Sequence, residues 1–467
     1  MAGGRFDKII GKVRPGIYIN FESGRENNVI STGKRGTVLI PLAKPSYGPE
    51  KQFIRLTNAS PDAEAATLGY SIYDDDPNGQ MLLIREAFKR ATTVYVYLLT
   101  EGKKAQAEIT MTLSQEETKE SGTEATTNTL TAVAKYGGTR GNSFTVTVDA
   151  NPLGGYDVLI HLDGDKVTEY EGLSTIEELI ALENPYLVFQ GAGSLGEAAG
   201  TTLSGGTEQE VSNKDITDFI DAWESIKFNT VCFPFSGEQA ENVKQAALIK
   251  VKYMRDNMGR GIQVVMPNAG NMNYEGIINV TNSVALNDRI LSKEEVCAWV
   301  AGATAGAANT ESLTYVSYAG ATAVVEPKTN EEAIAAIQNG ELFFSVNENN
   351  EVVVEYDINS LLDFSDKKDK SYRKNRIIRV FDTFQETIQL NFPPNKFHNN
   401  PNGWDVMEGI GKTILKQFED MGAITNVSYS EDFLVDRKRS KDDETYFNIG
   451  LQAVDSAEKL YFTITTR

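Results

Sequence analysis

Few residues in this sequence could carry chemistry, and the surroundings of each argue against it. Gly191-Ala192-Gly193-Ser194-Leu195-Gly196 follows an apolar run and matches G-x-G-x-x-G, the pattern by which a strand-to-helix turn sets backbone N–H groups against a pyrophosphate. The helix that should open there is interrupted by Gly200, Gly205 and Gly206, so a glycine-rich loop is expected instead. Gly409-Ile410-Gly411-Lys412-Thr413 has the ending of a phosphate-binding loop, but Val406 stands where G-x-x-x-x-G-K-[ST] needs its first glycine. That stretch also lies inside an amphipathic helical pattern. His161 and His398 are the only histidines, and neither sits in H-E-x-x-H or near G-x-S-x-G, which leaves a zinc site or a Ser-His triad unsupported. Cys232 and Cys297 lie far apart in apolar contexts, the pattern of buried free thiols. No catalytic residue, cofactor site or metal site is expected.

Composition narrows the function classes further. A chain of 467 residues is long enough for two to four domains, and 40% hydrophobic with 24% charged residues is ordinary for a globular protein. The net charge of −20 argues against a nucleic-acid partner, which needs clustered Lys and Arg. Residues 1–60 nevertheless hold ten Lys+Arg against four Asp+Glu, a net of +6 that leaves −26 on the rest. A basic arm on an acidic body suits head-to-tail self-association as well as it suits a foreign ligand, and a merely solvated basic tail accounts for it equally well. The start lacks the apolar h-region of a secretory leader, and the weakly polar run Val296–Ala308 is too short to span a bilayer. Assembly in the cytoplasm without direct membrane insertion is expected.

The elements that must position any site read as alternating strands and helices. Arg35–Leu42 is a continuous apolar run of the kind buried in a parallel or mixed sheet, Met81–Arg90 an amphipathic helix and Thr93–Leu99 a strand. Beyond Lys103 the composition changes: Gln115–Thr129 is polar, and short strands at 143–148, 156–162 and 186–190 are separated by Gly, Asn and Pro. The α/β pattern then resumes, with helices at 214–225 and 239–257, strands at 230–233 and 262–266, and a helix of small residues at 293–308. Strands near 323–325 and 352–356 are expected to finish the core. The resulting reading is a multidomain α/β and α+β chain. It has an N-terminal arm (1–24), a discontinuous α/β core (25–103 and 207–365), an inserted β-rich domain (104–206), a C-terminal domain (366–454) and a C-terminal arm (455–467).

In the last region, Lys367, Lys368, Lys370, Arg373, Lys374, Arg376 and Arg379 crowd the start of a helix whose stripe is Ile377, Phe381, Phe384 and Ile388, ended by Pro393-Pro394. A second helix, capped by Asn402 with Asp405 three residues on, carries Met407, Ile410, Ile414, Phe418 and Met421. Strands at 424–429 and 446–454 leave this domain with a marginal two-stranded sheet. The chain ends in an alternating ribbon, Leu460, Tyr461, Phe462, Thr463, Ile464 and Thr465, which either folds back on 446–454 or leaves across 455–459 to pair elsewhere. A matching ribbon near the start, Gly16, Ile17, Tyr18, Ile19, Asn20 and Phe21, favours the second arrangement, in which both ends add strands to other copies of the chain.

Four segments together resemble one family. Lys12-Val13-Arg14-Pro15-Gly16-Ile17-Tyr18-Ile19, Gly137-Gly138-Thr139-Arg140-Gly141-Asn142, Ala301-Gly302-Ala303-Thr304-Ala305-Gly306 with Leu313-Thr314, and Asn375-Arg376-Ile377 are similar in order and spacing to contractile-phage tail sheath proteins. The likeness is greatest to sheaths of Gram-positive phages and of defective, bacteriocin-like prophages, and it covers nearly the whole chain. The resemblance implies six-subunit rings stacked around a tail tube, with baseplate and tail terminator proteins as further partners. It also implies an outward inserted domain, terminal arms that complete neighbours' inner sheets, and contraction driven by repacked interfaces without a nucleotide. A helix of the inner domain would touch the tube, and Lys412 and Lys416 are the candidates on it. The rival readings are an α/β enzyme using a nucleotide at the Gly191 loop and a non-contractile structural or adhesin protein.

Overall fold

The computed structural model describes residues 2–4, 16–18, 31–113, 127–237 and 240–466. Its centre is a seven-stranded sheet in the order 341–342, 277–280, 263–267, 230–232, 37–42, 93–98, 53–57, parallel throughout except for the last strand. Thr37–Leu42 is buried on both faces, as continuous apolar runs in parallel sheets are. Val38, Ile40 and Leu42 pack with Met81, Ile84, Val296 and Trp299, while Leu39 faces Phe219, Trp223 and Val251 on the other side. The sheet draws strands from both sides of the 104–206 stretch.

The helix Lys293–Gly306 starts with a reciprocal cap, in which Glu295 N donates to Ser292 Oγ and Ser292 N to the Glu295 carboxylate. Its small residues permit a close approach: a Cβ on Gly302 or Gly306 would overlap the carbonyl oxygen of Ala87 or Arg90, at the end of the helix Gln80–Phe88. The expected core strands at 323–325 and 352–356 lie elsewhere. Ala321–Val324 joins a small sheet with 284–286 and 290–291, and Val352–Val354 folds back on Phe344–Val346. The turn between them, with Asn350 at φ 61°, makes that pair a hairpin, and Glu341–Leu342 closes the large sheet instead. Phe53–Thr57, a strand the sequence pattern does not announce, forms the antiparallel edge.

Residues 106–202 fold as two facing sheets, one of 187–190, 127–134 and 106–112, the other of 165–173, 156–162, 144–150 and 198–202. Ile109, Leu130, Phe144, Val146, Ile160 and Leu187 fill the space between them. The chain enters and leaves side by side, with Gln106 and Ser204 exchanging main-chain bonds of 2.9 and 3.0 Å and Thr207 N donating to Lys103 O at 3.2 Å. The Gly137–Asn142 segment forms the joint with the α/β part. Gly138 sits at φ 125° against Ser46 O, and buried Arg140 donates to Gly69 O at 2.6 Å and to Asp163 at 2.6 Å, with its guanidinium 4.1 Å from the Tyr70 ring.

In the last region the helices Asn375–Asn391 and Pro401–Asp420 pack through Val380, Phe384, Ile414, Leu415 and Phe418. Asn400, rather than Asn402, caps the second helix, because Pro401 supplies a first-turn residue that needs no N–H partner. Asp405 pairs with Arg437 instead, and Met421, expected in the buried stripe, is 40% exposed. The 424–429 stretch is not a strand, since Asn426 at φ 56° breaks the ribbon, and only an Ile424–Ala453 bridge remains. The sheet here is Phe433–Val435 against Phe447–Ile449.

Candidate assembly surface

The sequence candidates for chemistry are placed where they do none. The Gly191 loop follows an antiparallel strand and leads to the strand Ala198–Thr202, and Gly193 N already donates to Glu177 Oε1 at 3.0 Å. Gly409–Thr413 lies within the helix Pro401–Asp420, His161 sits mid-strand in Tyr156–Leu162, and Cys232 and Cys297 are buried free thiols. Burial raises both thiol pKa values, so neither is a nucleophile at neutral pH. A cavity of about 270 Å³ lined by Lys34, Arg35, Lys227, Asn229 and Asp382 opens at the amino ends of the parallel strands. Ligands of open α/β sheets bind at the carboxyl ends.

What the structure does offer is unsatisfied strand. The 447–449 strand is bracketed by Gly450 N→Asp432 O at 3.0 Å and Asp436 N→Tyr446 O at 2.8 Å. With this register Phe433, Val435, Phe447 and Ile449 turn their N–H and C=O groups away from the two-stranded ladder. On the 433–435 edge the carboxylate of Glu408, 9% exposed, takes Val435 N at 3.0 Å and is flanked by Arg437. On the 447–449 edge, Phe447 and Ile449 have no such cap among the described residues. Upstream residues hold the rest of this segment, with Thr425 N→Gln452 O and Val454 N→Ala423 O both at 2.9 Å.

The terminal candidates differ from one another. Leu460, Tyr461, Phe462 and Ile464 are 66%, 90%, 81% and 87% exposed, and Leu460–Thr466 pairs with no strand among the described residues. The intramolecular hairpin with 446–454 is therefore absent among the described residues, and 447–449 pairs only with 433–435. Gly16–Tyr18, expected to be loose, forms a short parallel ladder with Ala2–Gly4. Ile19, Asn20 and Phe21 lie outside the described residues. Lys412 is half-buried and Lys416 exposed, the latter 3.1 Å from Asp420. Glu408 does not pair with Lys412, having turned to the 433–435 edge.

The cations read as a helical cluster have separate destinations. Arg373 donates to Ile337 O, Lys368 pairs with Glu275, and Lys374 and Arg376 reach the segment 455–458. Arg379, fully buried, donates to Glu311 O at 2.6 Å and lies 3.7 Å from the equally buried Asp357, which also accepts from Leu313 N and Asn375 Nδ2 at 3.0 and 2.9 Å. Burial holds the Arg379 guanidinium below its ordinary pKa, and Asp357 offsets this only in part. Arg255 grips Asp382 with two bonds of 2.9 and 2.7 Å, a second tie between the 375–391 helix and the α/β part.

Family models match nearly all of this chain. They are the tail sheath protein Gp18 domain III N-terminal region at 35–99, the phage tail sheath β-sandwich domain at 100–210, the central domain at 209–360 and the C-terminal domain at 367–467. The Bacillus subtilis phage-like element PBSX protein XkdK is 34% identical over 496 residues, with 99% of each chain covered. The chain belongs to the phage tail sheath protein family. The crystal structure of the sheath tail protein from Desulfitobacterium hafniense is similar at a TM-score of 0.78 and 34% identity, covering 96% of this sheath protein and 99% of that chain. The anti-feeding prophage helical sheath in its contracted state shares the fold, at a TM-score of 0.53 and 12% identity over 98% and 100% of the two chains. This sheath protein is accordingly a structural protein and not an enzyme. Among its described residues no helix is long and apolar enough to cross a membrane.

Proposed function

We propose that this chain is the subunit of a contractile tail sheath, assembled in the host cytoplasm as stacked six-subunit rings around a tail tube and shortened to drive that tube through a target envelope. The observation that carries the reading is that the chain has both an unspent strand and an unspent edge: four exposed side chains, Leu460, Tyr461, Phe462 and Ile464, and a two-stranded sheet whose 447–449 edge is open. A two-stranded sheet is marginal, and β-augmentation by another copy supplies what it lacks. The 433–435 edge, where Glu408 occupies a donor, is the less available side. The amino-terminal ribbon 16–21 would serve as a second donated strand once released from 2–4. In this reading 1–24 and 455–467 are arms, 25–103 with 207–365 the core, 104–206 the outward part and 366–454 the inner part. Baseplate and tail terminator proteins would bound the polymer at its ends.

Electron microscopy of the purified chain tests the proposal. Tubes of stacked rings are expected, and a monomer at every concentration would overturn it.

The tube contact is assigned to the exposed face of the helix Pro401–Asp420, with Lys412 and Lys416 meeting acidic groups of the tube. Lys416 exchanges its local partner Asp420 for a foreign one at little cost, since exposed i,i+4 pairs contribute only about 0.2–0.5 kcal/mol. Charge reversal at both lysines is expected to weaken co-assembly with tube by about tenfold at low salt, through like-charge contacts, while tube-free polymers form normally. Co-sedimentation measures it, and unchanged tube binding would sink the assignment.

A further inference from the structure

The root of the C-terminal arm is held in a socket built from three distant parts of the chain. After Val454, Asp455 lies 3.7 Å from Lys374 Nζ, and Ser456 Oγ accepts from Arg376. The Glu458 side chain, 8% exposed, accepts from Ser312 Oγ and Thr314 Oγ1 at 2.8 Å each and pairs with Lys374. Lys374 also stands 4.5 Å from the Tyr356 ring. Burial works against its charge, yet Glu458 and the Tyr356 hydroxyl keep its pKa above the ordinary lysine value. Thr314 Oγ1 accepts from Asp357 N at 3.0 Å, which links the socket to the buried Arg379–Asp357 pair. The neighbouring Tyr315 sits at φ 62°, a left-handed conformation that non-glycine residues adopt at a cost, and Tyr315 N→Val354 O at 2.8 Å holds it there. Beyond Lys459 the chain makes no hydrogen bond to the rest of the subunit among the described residues.

We propose that Glu458 is a positioning residue that fixes where and in which direction the terminal strand leaves the subunit. The swivel of the arm then begins at Lys459–Leu460, not in the 455–459 connector, which is pinned. This rests on the reading that 460–465 is donated to another copy. An anchored root keeps the free tether to one or two residues, and the local concentration of a tethered strand falls roughly as the −3/2 power of tether length. Releasing 455–458 lengthens the tether several-fold, so the concentration needed for polymerisation should rise by about tenfold.

The test uses the full chain carrying Glu458→Ala, and separately the swap Glu458→Lys with Lys374→Glu. A spin label on Ala457→Cys reports the root directly, because both native cysteines are buried. The label should be restrained in the parent and in the swap but mobile in Glu458→Ala. Polymerisation should weaken about tenfold in Glu458→Ala and recover in the swap, with the monomer's melting midpoint little changed. A label equally restrained in Glu458→Ala, or a melting loss that the swap does not repair, would overturn the anchor. A chain truncated after Lys459 runs in parallel. If it polymerises like the parent, strand donation itself fails. If it does not polymerise while Glu458→Ala does so at the parental concentration, the anchor alone fails.

Discussion

Removing residues 460–467 is expected to abolish polymerisation and leave the monomer's melting midpoint within about 2 °C of the parent. Among the described residues the deleted stretch contributes exposed apolar side chains and no strand pairing, so the folded monomer loses almost nothing. In the polymer each donated strand would form several ladder bonds, worth about 1 kcal/mol apiece, and bury Leu460, Phe462 and Ile464 for about 1.5–3 kcal/mol each. A loss on the order of 5–10 kcal/mol per contact raises the assembly concentration by more than about a thousandfold. Proline at 461 or at 462 refines the test, since successive residues of an edge strand point their N–H groups to opposite sides and one variant should suffer more. Light scattering and calorimetry on the same samples decide the matter. A midpoint lowered by many degrees with polymers still forming would assign the strand to its own subunit.

The second large effect is internal. Arg379→Met is expected to cost about 3–5 kcal/mol, because it leaves Asp357 charged and buried. With unfolding shifts of about 2–4 °C per kcal/mol in large domains, the melting midpoint should fall by about 10 °C. The double variant Arg379→Met, Asp357→Leu should recover only part of this, since Leu313 N and Asn375 Nδ2 then lose their acceptor. A single-variant cost below about 1 kcal/mol would show the pair to be bystanders. The pair matters beyond stability because it sits where the 375–391 helix meets the loop that carries Ser312 and Thr314, so its loss should loosen the arm's socket as well.

Much of the fold was legible because its signals are local. The buried strands 37–42, 93–98, 230–232 and 263–267 are continuous apolar runs, and the helices around 80–88, 240–256 and 375–391 show their periodicity directly. The strand 53–57 hides because its alternation, with Ile54 and Leu56 buried and Arg55 exposed, spans only five residues, and 433–435 because a three-residue strand carries too little pattern. Of the proposed assembly surface, only the exposed apolar ribbon at the chain end can be read from the sequence. Glu458, Glu408 and Asp357 are three carboxylates among 65, and nothing in their neighbours marks them. Their roles come from partners far along the chain: Lys374 is 84 residues from Glu458, and Leu313 is 44 from Asp357. Glu458 even falls within a connector whose polarity suggests slack, while the fold makes it the tightest point of that connector.

The side-by-side entry and exit of the 106–202 sandwich has a mechanical meaning. Tension that pulls the sandwich away from the body is carried along two covalent legs, and the Gln106–Ser204 and Lys103–Thr207 bonds run between those legs, across the pull, so they keep the legs together without bearing the load. A terminal strand drawn along its own axis would be sheared, its ladder bonds sharing the load because they lie perpendicular to the strands. In the proposed mesh the sandwich is thus held by covalent bonds and the subunits by shared hydrogen bonds. Arg140, braced by Asp163 within the sandwich, reaches Gly69 O across the joint and keeps the sandwich seated on the body. Under stress the sheath would splay its sandwiches at this joint without losing them.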